Sequence, residues 1–203
     1  PPRSTLFPYT TLFRSNSPGA VGSQRDAGKI NNGGNTRMTE AIRIESFLSD
    51  GMVIGRLLPG TDLIPGLLEA CRVHGVRFAV ISSLIGSLRE TSFVFIKPAG
   101  AATGGIKYGE AMHVSGGVEI ISCQGMVGEW DGGPMDGKPT AHVHYSLVDT
   151  EGSSYFGHVS DTGNPCLITV EFALKAVQGG TILRRVDPEG GFPIFTFGSP
   201  MPS

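Results

Sequence analysis

The sequence predicts an α+β domain: a mostly antiparallel sheet with one main helix packed on it. Three observations carry this. Short apolar runs with period-two alternation recur between glycine- and proline-rich turns, one stretch alone repeats apolar residues at helical spacing, and most connections are short. Such connections suit hairpins better than the long crossovers of a parallel sheet.

Taken in order, Ile42, Ile44 and Phe47 open a strand-like stretch, and residues 52–58 (MVIGRLL) form a second strand before the turn Pro59-Gly60. The helix follows. Thr61 or Asp62 can cap it, Pro65 fits its first turn, and Leu63, Ile64, Leu67, Leu68 and Cys71 line one face, with Gly75 placed to end it. Residues 76–84 (VRFAVISSL) read as a buried strand, followed by Gly86 and a further strand over 91–96. Glycine and alanine dominate 98–109, which reads as a flexible excursion. Strands resume at 118–123 and 124–127, and 128–139 (GEWDGGPMDGKP) reads as a long loop. Residues 141–148 and 153–159 form a hairpin, and 166–173 (CLITVEFA) give the last clear strand.

The chain divides into three segments. Residues 4–15 (STLFPYTTLFRS) read like the in-frame translation of a sequencing adapter, and 16–37 are polar and glycine-rich without helical or strand period, so 1–37 are expected to be a non-native or disordered leader. The domain is expected over 38–185, starting at Met38. An apolar, Gly/Pro-rich tail over 186–203 carries Phe192, Ile194, Phe195 and Phe197 and either packs on the sheet or buries in a partner.

Composition bounds the function. Of 203 residues, 39% are hydrophobic and 17% charged, enough apolar matter for a real core. No apolar run approaches the roughly 20 residues of a membrane helix, so no membrane partner is expected. Cys71, Cys123 and Cys166 are odd in number and widely spaced, which suggests neither a disulfide framework nor a metal knuckle and favours a reducing, cytoplasmic setting. The leader holds five basic side chains and one acidic, leaving 11 basic and 17 acidic in residues 38–203, a net charge of about −6. DNA binding draws on clustered Lys and Arg, and the domain has no such cluster beyond Arg184-Arg185. Direct nucleic acid binding is therefore weakly supported.

The chemistry centres on three histidines. Along 141–148, Val143, Tyr145 and Leu147 share one strand face, and His142, His144 and Ser146 the other. A turn at 149–152 ending in Gly152 closes a hairpin. Centred on Glu151, it sets His144 opposite His158, seven residues to each side, with Cβ atoms roughly 5 Å apart. Three imidazoles on one face suit Zn, Ni, Cu or Fe(II), with positions left open for water or a ligand. The alternative is that they merely hydrogen-bond at a polar face or subunit interface, and a one-residue slip in register would turn His158 away. His74 at the helix end and His113 read as structural or solvent-facing. Glu119 and Glu129 could serve as acid, base or fourth ligand if the fold brought them close, though a solvated carboxylate is the default. No P-loop, GxGxxG or Ser/His/Asp order is present.

Four motifs carry a family resemblance: Arg56-Leu57-Leu58-Pro59-Gly60-Thr61-Asp62; Ile81-Ser82-Ser83-Leu84-Ile85-Gly86-Ser87-Leu88; Val118-Glu119-Ile120-Ile121-Ser122 leading to Gly125; and His142-x-His144 with Gly157-His158. In these the chain resembles the plant and prokaryote conserved (PPC) domain, over residues 42–174. Phe156 departs from the pattern, standing where the family usually has the first of two glycines. The resemblance implies an α+β fold, a homotrimer, and a divalent metal, zinc first, held by the residues matching His142, His144 and His158. Plant relatives join the domain to AT-hook segments, and prokaryotic members are often labelled DNA-binding; this chain has no Arg-Gly-Arg-Pro hook. A trimeric metal-binding and interaction module of regulatory type is the leading expectation. A metal-dependent hydrolase or lyase acting on a small molecule is the alternative.

Overall fold

A computed structural model describes residues 41–100 and 105–199; the leader lies outside the described residues. Eleven strands and one α-helix follow one another as β1 (Ile44–Ser49), β2 (Met52–Leu57), α1 (Leu63–Val73), β3 (Ala79–Val94), β4 (Ile96–Pro98), β5 (Ile106–Tyr108), β6 (Met112–Trp130), β7 (Pro139–Asp149), β8 (Ser154–Val159), β9 (Cys166–Ala176), β10 (Thr181–Val186) and β11 (Pro193–Gly198). Nine strands form one sheet in the order β1-β2-β9-β3-β8-β7-β6-β10-β11, and β3 also pairs with β6.

The expected α+β layer, a helix packed on a mostly antiparallel sheet, is corrected by this architecture. The protein is mostly β, its large sheet is mixed because β10 runs parallel to β6 through Leu183↔Glu129 and Arg184↔Trp130, and its α-helix has only 11 residues. The reason lies in glycines that look like breaks. Gly86 sits at φ 140°, and a Cβ there would lie 2.2 Å from the Thr169 carbonyl oxygen. The strand therefore runs on through it, close against β9, and the β3–β9 register shifts between Gly86 and Leu88. In the same way β6 continues for 19 residues through segments that read separately in sequence.

These long strands curl the sheet. β3 pairs with β6, β6 with β7, β7 with β8, and β8 with the end of β3 at Phe93↔Val159, so the pairings close a ring. The core includes Val53, Leu57, Leu84, Leu88, Phe93, Val143, Leu147, Val170 and Leu174, each worth about 1.5–3 kcal/mol when fully buried. The helix adds Leu63, Ile64, Leu67, Ala70 and Cys71 to this core. A Cβ at Gly66 would lie 2.8 Å from Leu57 Cδ2, so glycine allows the helix its close approach to β2.

Asp62 stands at the helix N-cap position, but its carboxylate accepts from Gly163 N (2.7 Å) and Asn164 N (3.3 Å) instead of capping the helix. Leu63 N donates to Asn164 O, tying the helix start to the loop before β9. Burial raises the Asp62 pKa, partly offset by those backbone donors.

The stretch 98–109, read as a flexible excursion, carries β5 near its end, which pairs with β4 at its start as a two-stranded ribbon. Residues 193–198 of the apolar tail pair with β10. Among the described residues, no helix is long and apolar enough to cross a membrane.

Candidate metal centre

Strand β7 positions the histidines by simple alternation. Val143, Tyr145 and Leu147 are buried, while His142 and His158 are half-buried and His144 is exposed. Gly125 of β6 helps to set this strand: a Cβ there would lie 2.2 Å from the His142 carbonyl oxygen, so only glycine lets β6 approach so closely. Across the hairpin the ladder pairs His144 with His158 and Tyr145 with Gly157. The turn is held by Asp149, whose Oδ1 accepts from Glu151 N and Ser153 N and whose Oδ2 accepts from Tyr155 Oη. Gly157 is required as well, because a Cβ there would meet the Phe93 ring at 2.4 Å.

The three imidazoles converge. Ring centroids lie 4.7 Å apart for His142 and His158, 5.0 Å for His142 and His144, and 5.3 Å for His144 and His158. His142 Nε2 and His144 Nε2 are 3.1 Å apart, and one ligand nitrogen from each histidine lies within 4.8 Å of the others. Ligands at 2.0–2.1 Å from a tetrahedral zinc would sit about 3.4 Å apart, so small ring rotations fit the set to an ion. Burial pushes His158 down to about 4, with repulsion from His142, His144 and Arg184 adding to it. Burial, then His144 and Arg184, also lowers His142. Both are neutral at pH 7, the form that donates a lone pair to a metal.

The walls come from elements that sequence reading did not place here. Tyr108 of β5 lies 5.4 Å from His158 between ring centroids, and Phe195 of β11 lies 6.2 Å from His142. A recess of about 400 Å³ beside the histidines is lined by Gln124, Met126, His142, His144, Phe195 and Phe197. Arg184 of β10 is 7% exposed; its Nη1 donates to Thr140 Oγ1 (3.1 Å) and Ala141 O (2.9 Å), and the guanidinium lies over Trp130 and Phe195. One signal was available: Arg184 alternates with buried Ile182, an inward position for a charge.

The remaining candidates lie elsewhere. Glu129 is bound by Arg77 (2.5 and 2.9 Å), and Glu119 is exposed opposite Ser87 and Val148. His74 bonds Ser46 Oγ at 3.0 Å, and His113 is exposed opposite Ser92. Cys71, Cys123 and Cys166 are free and buried, and burial pushes Cys71 and Cys123 up to about 12.

A curled, mostly β domain with three histidines converging on one strand face is the class that fold and site define. The profile of the Plants and Prokaryotes Conserved (PCC) domain matches residues 45–178, and the chain belongs to that family. No curated protein sequence matches. Among solved structures, a metal-containing protein from Archaeoglobus fulgidus is similar at TM-score 0.58 and 22% identity, over 77% of this chain and 99% of that one. A plant- and prokaryote-conserved (PPC) protein from Pyrococcus horikoshii aligns at TM-score 0.56 and 21% identity, over 82% and 99%. A Bacteroides thetaiotaomicron protein, provisionally described as DNA-binding, aligns at TM-score 0.63 and 19% identity, over 76% and 97%. At these identities the likeness is one of fold.

Proposed function

We propose that the protein is a homotrimeric metal-binding and interaction module of regulatory type, with a divalent ion, zinc first, held by His142, His144 and His158. The convergence of the three ligand nitrogens within 4.8 Å carries this reading. Three imidazoles form the protein complement of many zinc sites and leave coordination positions for water or a small ligand. The Archaeoglobus relative described as metal-containing lends it support. For the trimer, the support is an exposed strip on β3 and β6 with Val80, Ile85 and Ile121, flanked by Ser82, Ser83 and Ser122. Metal analysis of the full chain beside His142→Ala and His144→Ala tests the site: about one ion per chain is expected for the parent and a large loss in both variants. Equal metal content in all three would sink it. Sedimentation should give three times the chain mass.

The recess beside the histidines favours one second reading, a metal-dependent hydrolase or lyase acting on a small molecule. A metal there would lower the pKa of bound water and polarise a carbonyl. DNA binding, the provisional description of the Bacteroides relative, has less behind it. Arg56, Arg72, Arg77 and Arg185 lie at the surface but are each paired, with Glu45, Glu69, Glu129 and Asp131, and Arg184 is buried, so no cluster of unpaired cations among these five faces a phosphate backbone.

A further inference from the structure

Arg184 is the one strongly buried charge beside the histidines. Its Nη1 is satisfied by Thr140 and Ala141 O, but among the described residues no carboxylate lies within ion-pair distance, and Asp161 acts only at longer range. Buried charges are normally paired, because an uncompensated one costs several kcal/mol. The guanidinium shares Phe195 with His142, which places its charge next to the histidine cluster. A divalent ion on the three imidazoles would therefore add two positive charges to one already unbalanced. The adjoining walls, Met126, Phe195 and Phe197, are apolar.

We propose that the recess binds small carboxylates with an apolar body: the carboxylate takes the open side of the histidine-bound metal in the field of Arg184, and the body lies against Met126, Phe195 and Phe197. The metal-bound form of this site rests on the metal reading above. Arg184 is a positioning residue in it, acting through charge rather than through contact with the ligand. Binding is reciprocal, so the carboxylate in turn tightens the hold on the metal.

Calorimetric titration of the full chain, zinc-loaded and metal-free, with benzoate and with benzamide tests this. Zinc-loaded protein is expected to bind benzoate at least about tenfold more tightly than benzamide. Arg184→Gln should cut benzoate affinity about tenfold, leave zinc stoichiometry unchanged and raise zinc affinity measured without carboxylate, while Arg184→Lys keeps the preference. A merely structural Arg184 would not produce that opposed pair of changes. Equal affinities for benzoate and benzamide overturn the proposal, and this comparison on the parent protein decides even if Arg184→Gln does not fold. A chain that takes up no zinc overturns the metal reading separately. In that case benzoate preference by the metal-free chain, lost in Arg184→Gln, upholds the anion site, and its absence overturns it.

Discussion

Strand β7 carries two polar clusters on its opposite faces, and they are built on opposite plans. On the inner face Tyr145 Oη meets Thr91 Oγ1 and donates to Ser92 O (3.3 Å), while Asn164 Oδ1 accepts from Thr91 Oγ1 (2.8 Å) and Ser92 N (2.9 Å) and Asn164 Nδ2 donates to Ser160 O (3.0 Å). Asn164 is fully buried, and the protein itself satisfies the cluster. On the outer face, His142, His144 and His158 face one another across 4.7–5.3 Å with aromatic walls and little to bond but themselves. A structural polar group finds its partners within its own chain. Among the described residues the histidine side chains share one hydrogen bond, between His142 Nε2 and His144 Nε2, and the protein supplies no further side-chain partner for them.

The contrast can be broken from either side. The largest effect is expected from Asn164→Ala, which strands Thr91 Oγ1 and Ser92 N and should cost about 3 kcal/mol in urea unfolding, with metal content unchanged. His158→Ala should do the reverse, lowering zinc affinity by about a hundredfold or more in a chelator competition while shifting metal-free stability by less than about 1 kcal/mol. Tyr145→Phe removes a single hydroxyl and should cost about 1 kcal/mol without touching zinc.

The metal-free chain should also show a pH dependence. Folding lowers the His158 pKa from 6.5 to about 4, so between these values the unfolded chain binds more protons. Stability is then full above about pH 6.5 and declines as pH falls toward 4. His158→Phe should flatten that slope in thermal melts across the window; an unchanged slope would place its origin in other groups.

Much of the site was legible in sequence because it is local. Period two sets His142 and His144 on one face, and the turn ending at Gly152 sets the register that pairs His144 with His158. The fold was less so. Gly86 looks like an interruption until the neighbouring backbone, 2.2 Å from where a Cβ would be, is known. Neither the parallel pairing of β10 with β6 nor the approach of Tyr108 to His158 has a local signal, so the mixed sheet, Arg184 and the aromatic walls all went unread. Glu119 and Glu129 could be weighed as ligands only because sequence gave no distance to exclude them.

Phe195 and Phe197 stand beyond residue 178, where the family match ends. The match spans the strands that carry all three imidazoles, while part of the recess wall comes from β11, outside it. A change confined to β11 would alter what fits beside the three rings and leave the rings where they are.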